Sequence, residues 1–152
     1  SRSGYDPLYQ PGESFTIGKA KQLRDGADLS IFAYGLSVYR AKKAAEELAA
    51  EGISARVYDM FTIKPLDCEA VLAAARETGA IVTAEEHSIL GGLGTAVAET
   101  LAKNRVCVPL ETVGIRDCFT ESGAYEDLVR EFKIDVDSIK QAARDAVSEK
   151  GR

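Results

Sequence analysis

The side chains with the densest chemistry lie between Ala80 and Asn104, in AIVTAEEHSILGGLGTAVAETLAKN. Two carboxylates and the chain's only histidine are consecutive, Glu85-Glu86-His87, and a glycine cluster follows at Gly91-Gly92-Leu93-Gly94. Carboxylates beside an imidazole can move protons, and the same groups at the exposed end of a strand can contact a neighbouring domain. Glycines that open a helix can cradle a phosphate or let the helix approach a sheet closely. The phosphate reading matches only in part. Gly92-Leu93-Gly94 supplies G-x-G, but Val97 stands where the third glycine belongs, and no acidic residue ends a strand about 20 residues on. Gly91, Gly92 and Gly94 are therefore expected to serve turn and packing, and Glu85, Glu86 and His87 to form a contact surface. No Ser-His-Asp or Cys-His arrangement emerges from the spacing, so no residue of this chain is assigned a catalytic role.

The elements that must position these groups follow from apolar patterning. Leu29–Tyr34 is apolar enough to be a strand buried on both faces. Ser37 is placed to cap a helix to about Glu51, with Val38, Ala41, Ala45, Leu48 and Ala49 on its inner face. Arg40, Lys42, Lys43, Glu46 and Glu47 fall on the opposite, solvent face. Gly52 suits the helix end, and Ile53–Asp59 is the next strand. Pro65 bars helix before it, and Asp67 caps CEAVLAAARET, which Gly79 closes. The central strand then starts at Ala80, its glycine turn feeds a helix, and Val106–Ile115 gives a further strand. Helices over about Ala124–Phe132 and Val136–Ser148, the latter capped by Asp135 or Asp137, finish the chain. Ser14–Ile17 is short and β-prone, while Lys19–Asp28 is charged and carries the turn signal Asp25-Gly26. The pattern predicts a three-layer α/β/α sandwich on a mostly parallel five-stranded sheet with an antiparallel edge strand.

The 152 residues suffice for one domain. A net charge of −5 argues against a nucleic-acid binder, which needs a basic footprint. No run reaches the ~20 apolar residues of a membrane span, no signal peptide is visible at the N-terminus, and the expected location is the cytoplasm. Cys68, Cys107 and Cys118 are odd in number and widely spaced, which predicts free thiols and no metal site. A receiver-like signalling domain shares the size and topology, but Leu29–Tyr34 ends without the acidic pair that such a domain requires, and Asp59 alone does not replace it.

Four stretches recur together in one family: Ala33-Tyr34-Gly35; Ile63-Lys64-Pro65-Leu66-Asp67; Thr83-x-Glu85-Glu86-His87 with Gly91-Gly92-Leu93-Gly94; and Gly114-Ile115-Arg116-Asp117-x-Phe119-x-Glu121-Ser122-Gly123. The chain resembles the C-terminal domain of transketolases, especially the split type whose C-terminal half is a separate subunit. Deoxyxylulose-phosphate synthase and the β subunits of 2-oxo-acid dehydrogenases share the Glu85/Gly91-Gly92 pattern, and His87 with the Phe119–Gly123 loop leans to the transketolase side. The resemblance implies residues 1–13 as a linker from a pyrimidine-binding domain and 14–152 as the C-terminal domain. It implies transfer of a two-carbon ketol unit between sugar phosphates, with thiamine diphosphate and Mg held by upstream or separate domains and neither cofactor in this chain. The domain would contribute packing, assembly of a homodimer or heterotetramer, and the rim of the substrate entrance, where Glu85, Glu86 and His87 would lie. Arg2 matches the Ser-Arg that meets the sugar phosphate in the family, and in this chain alone its guanidinium is expected to be free. The Gly-Asp-Gly…Asn metal motif and the glutamate that activates the cofactor's aminopyrimidine are missing from the 152 residues, so the chain is expected to be inactive alone. A standalone interaction or regulatory domain of the same fold is the reading of a different class. A thiamine-binding reading frame upstream or adjacent would decide between them.

Overall fold

A computed structural model describes residues 7–150. Ten elements follow one another: β1 Lys21–Arg24, β2 Leu29–Ala33, α1 Ser37–Ala50, β3 Ala55–Asp59, α2 Cys68–Thr78, β4 Ile81–Ser88, α3 Leu93–Lys103, β5 Leu110–Ile115, α4 Tyr125–Glu131 and α5 Val136–Ser148. The sheet order is β1-β3-β2-β4-β5, parallel throughout except for β1 against β3. This is the three-layer α/β/α sandwich with an antiparallel edge strand that the patterning predicts.

Every residue of β2 is buried, because helices cover both faces of the sheet. On one face α1 and α5 pack over Ile31, Val57 and Val82; on the other α2 and α3 pack over Phe32, Tyr58 and Ile81. Alternate residues of each strand therefore feed separate cores, and Phe32 stacks on Tyr58 across the β2–β3 pair.

Several local expectations need correction. The antiparallel edge is Lys21–Arg24 and not Ser14–Ile17, which has no strand structure. Long polar side chains suit a half-solvated edge, and Ser14–Ile17 instead belongs to an irregular segment packed through its aromatic residue. Leu36, not Ser37, precedes α1, with no side-chain cap; Ser37 is buried inside the first turn. Arg40 is 5% exposed, not solvated, because α4 and the end of β4 lie over that flank of α1. β5 begins at Leu110, after Pro109, which lacks an N–H for the ladder. Val106 and Val108 pack against the α2–α3 core ahead of it. Other signals agree with the structure: Asp67 and Asp135 accept N–H groups of α2 and α5, and Gly79 ends α2 with φ +70°.

Candidate functional site

β4 is where the chain changes direction across the sheet. The connection β2–α1–β3 moves to one side of β2, and β3–α2–β4 returns to the other. The carboxyl ends of β2 and β4 thus form a topological switch point, the usual ligand crevice of an open α/β sheet. Tyr34 follows β2 there, and Glu85 lies in the last half of β4.

β4 runs on to Ser88, so Glu85, Glu86 and His87 belong to a strand end and not to a loop. The register slips at this point: Ala84 pairs with Val113, but Ser88 pairs with Ile115. Three residues, 85 to 87, thus stand against Gly114 alone, a bulge that re-aims side chains at the end of a strand. Gly114 permits it. A Cβ at that position would lie 2.9 Å from the His87 carbonyl oxygen and 3.0 Å from Glu85 Cγ.

The bulge sends the three groups to different places. Glu85 points inward and is 1% exposed. Its Oε2 accepts the Leu93 N–H at 2.9 Å and its Oε1 the Gly94 N–H at 3.1 Å. A carboxylate at the first N–H groups of a helix satisfies orphan donors and meets the positive end of the helix dipole. Both oxygens are thereby committed to α3. The Tyr34 hydroxyl also reaches Oε2, at 3.4 Å. Burial, then the charge of Glu85, pushes the Tyr34 hydroxyl up to about 12, so it remains a donor.

Glu86 turns to the α1 side of the sheet. Its Oε1 accepts from Arg40 at 2.6 Å and from the Tyr125 hydroxyl, and Arg40 also reaches the Tyr125 hydroxyl. Three elements, α1, β4 and α4, meet in this cluster. It separates a cleft of about 420 Å³ between α1 and the last two helices, lined by Tyr39, Arg40 and Lys43, from a smaller one of about 290 Å³ over Leu128 and Phe132. The sequence places Arg40 on the outer face of its helix and Gly114 within a family motif, but points to neither of them, nor to Tyr125, as a contact of Glu86 or Glu85.

His87 is exposed at the end of the strand. Nearby, Leu90 is 62% exposed and Phe119, on the loop after β5, is fully exposed. Cys118 and Phe119 border a shallow hollow with Ser88 and Ile115. His87 and Leu90 flank Ser88 in the chain, so exposed groups gather at the carboxyl end of the sheet, whereas Glu85 is buried away from it.

The glycine turn is filled by the protein itself. A Cβ on Gly92 would lie 2.1 Å from Glu85 Oε2, and one on Gly94 would lie 2.7 Å from Thr112 Cγ2. Gly91 has open space but φ +76°, a conformation that favours glycine. The first N–H groups of α3, which a phosphate would need, face Glu85. Arg2 lies outside the described residues. The three cysteines are free and exposed.

The transketolase C-terminal domain family matches residues 18–139. The chain belongs to that family. It is 49% identical to the 6-deoxy-6-sulfo-D-fructose transketolase subunit SqwH of Clostridium sp. (strain MSTE9), over 91% of this chain and 42% of that protein. It is 44% identical to an apulose-4-phosphate transketolase subunit of Phocaeicola vulgatus, over 96% of this chain and 46% of that protein. A solved split-gene transketolase, described as an inactive β4 tetramer, superposes with a TM-score of 0.93 at 41% identity, covering 98% of this chain and 48% of its own. This transketolase C-terminal domain spans less than half the length of these relatives.

Transketolases are thiamine-diphosphate enzymes, and the residues seen here do not fit that cofactor or its metal. Among the described residues no group of three or more His, Cys, Asp or Glu could hold a metal ion. The one fully buried glutamate is committed to α3 through both oxygens.

Proposed function

We propose that this domain is the C-terminal part of a split-type, cytoplasmic transketolase, which moves a two-carbon ketol unit between sugar phosphates. Thiamine diphosphate and Mg would sit in the remaining domains, with residues 1–13 as the linker from the pyrimidine-binding domain, in a homodimer or heterotetramer. The observation that carries this reading is high identity along nearly the whole chain to subunits of two transketolases, each more than twice its length. Reconstitution tests it. The domain joined to or mixed with its thiamine-binding half, given cofactor, Mg²⁺, a ketose-phosphate donor and an aldose-phosphate acceptor, should transfer the ketol unit. The domain alone should not. Full assembly without transfer would overturn the reading.

Within that assembly the edge carrying His87, Leu90 and Phe119 would face the thiamine-binding half and border the substrate entrance. Its exposed apolar groups beside an imidazole have the character of an interface patch. His87→Ala should then weaken assembly or raise the Michaelis constant more than it lowers turnover. Arg2 would read the substrate phosphate through its two-pronged guanidinium. Arg2→Ala should cost affinity for phosphorylated sugars and spare unphosphorylated donors; equal losses on both would remove Arg2 from that role.

A further inference from the structure

Residues 7–20 have no strand or helix, yet they are fastened to the molecule at several points. The Gly18 N–H is bonded to Thr62 Oγ1 at 2.9 Å and the Ala20 N–H to Asp67 Oδ2 at 2.9 Å. The Phe15 ring stands edge-on between Tyr9 and Phe61, with centroids 4.8 Å and 5.1 Å away. Lys21 Nζ lies over both the Tyr9 and Phe15 rings, at 4.8 Å and 4.7 Å, and is paired with Glu13. Phe15 is nonetheless 46% exposed and Ile17 76% exposed, so little apolar surface secures the segment.

At its far end the Tyr9 hydroxyl donates to Asp59 Oδ2 at 2.5 Å. Asp59, the last residue of β3, is 6% exposed, and its Oδ1 has no hydrogen-bond partner. A buried carboxylate with one oxygen unsatisfied is in an unfavourable state. Tyr9 is the segment's contact with this carboxylate, so lifting it would open the Oδ2 side to water. The Tyr9 bond, the ring cluster and this charge thus act in opposite directions, the first two docking the segment and the last loosening it.

We propose that residues 7–20 form a releasable strap, latched by Tyr9 on Asp59 and held in tension by the buried charge of that same carboxylate. Release uncovers Phe61 and the carboxyl end of β3, while the sheet stays intact. The inference rests on the strap's own contacts and does not depend on the transketolase activity.

Hydrogen–deuterium exchange on the full chain at neutral pH tests it, with Tyr9→Phe and Asp59→Asn as variants. Tyr9→Phe should speed exchange of the 7–20 amides about five- to tenfold, the loss of roughly one hydrogen bond, with β4 and α3 unchanged. Asp59→Asn keeps an oxygen acceptor and removes the charge, so strap exchange should be as slow as in the wild type or slower. The proposal fails if Tyr9→Phe leaves the strap unchanged, if the sheet loosens along with it, or if Asp59→Asn speeds strap exchange as Tyr9→Phe does.

Discussion

Glu85 ties the end of β4 to the start of α3, and its contacts set what substitution there should do. Removing the carboxylate strands two buried N–H groups, each worth about 1–3 kcal/mol when unsatisfied. Glu85→Ala should therefore lower stability by about 2–6 kcal/mol, read in urea melts. Gly92→Ala attacks the same junction from the other side, since its methyl would overlap Glu85 Oε2. It should cost about 1–3 kcal/mol, clearly more than Gly91→Ala, where only the positive φ is at stake and about 1 kcal/mol is expected. Equal melts for the two glycine variants would contradict this geometry. Asp59 gives a pH signature. Burial raises its carboxyl above the ordinary range, against the Tyr9 hydrogen bond and the charge of Lys21, which lower it. A carboxyl raised in the folded state binds more protons folded than unfolded, so its contribution to stability falls as pH rises through the carboxylate range. Asp59→Asn lacks that loss. Its stability relative to the wild type should improve as pH climbs from below the ordinary carboxylate range to neutrality, and a pH-independent difference would show that Asp59 does not titrate this way.

At the scale of elements, the cluster of Arg40, Glu86 and Tyr125 joins α1, β4 and α4. The helix α4 is short, Tyr125–Glu131, with Val129 as its one fully buried residue. Little apolar area holds it, so the cluster carries much of its attachment. Tyr125→Phe keeps the ring near Arg40 and deletes the hydroxyl bonded to Glu86. Amide exchange in residues 125–131 should rise while α1 and β4 stay protected. Arg40→Ala goes further: it removes the buried cation of the pair, leaves Glu86 with the Tyr125 hydroxyl as its donor and empties a packed flank of α1, and about 2 kcal/mol of destabilisation is expected. If Arg40→Ala melts like the wild type, the ion pair is no more than an exposed one would be.

For the whole molecule, the informative surface is the edge with Leu90 and Phe119. Neither side chain has a buried role in this domain, so Leu90→Ser with Phe119→Ser should leave its thermal midpoint within a degree or two. The same pair should weaken association with the thiamine-binding half at least tenfold if this edge docks there, since exposed apolar anchors dominate interfaces. Sedimentation of the mixed halves would show it, and unchanged association would move the interface elsewhere.

Periodicity and punctuation in the chain determine the architecture. The apolar run Leu29–Tyr34 marks a doubly covered strand, Asp67, Gly79 and the pair Asp135 and Asp137 mark helix ends by local chemistry, and the motifs around Glu85 and Phe119 identify the family. These signals act within a few residues, so they are legible without the fold. The edge strand Lys21–Arg24 was not legible, because its polar composition makes sense only beside β3. Nor was the fate of Glu85-Glu86-His87. Three adjacent polar residues look alike in sequence, and the bulge opposite Gly114 turns one into a buried helix cap, one into an ion-pair bridge and one toward solvent. Arg40 likewise sits on the polar side of its own helix, yet the packing of α4 and the end of β4 buries it. Contacts between residues 40, 86 and 125 depend on which helices cover which face of the sheet, and that is decided only when the whole sheet is assembled.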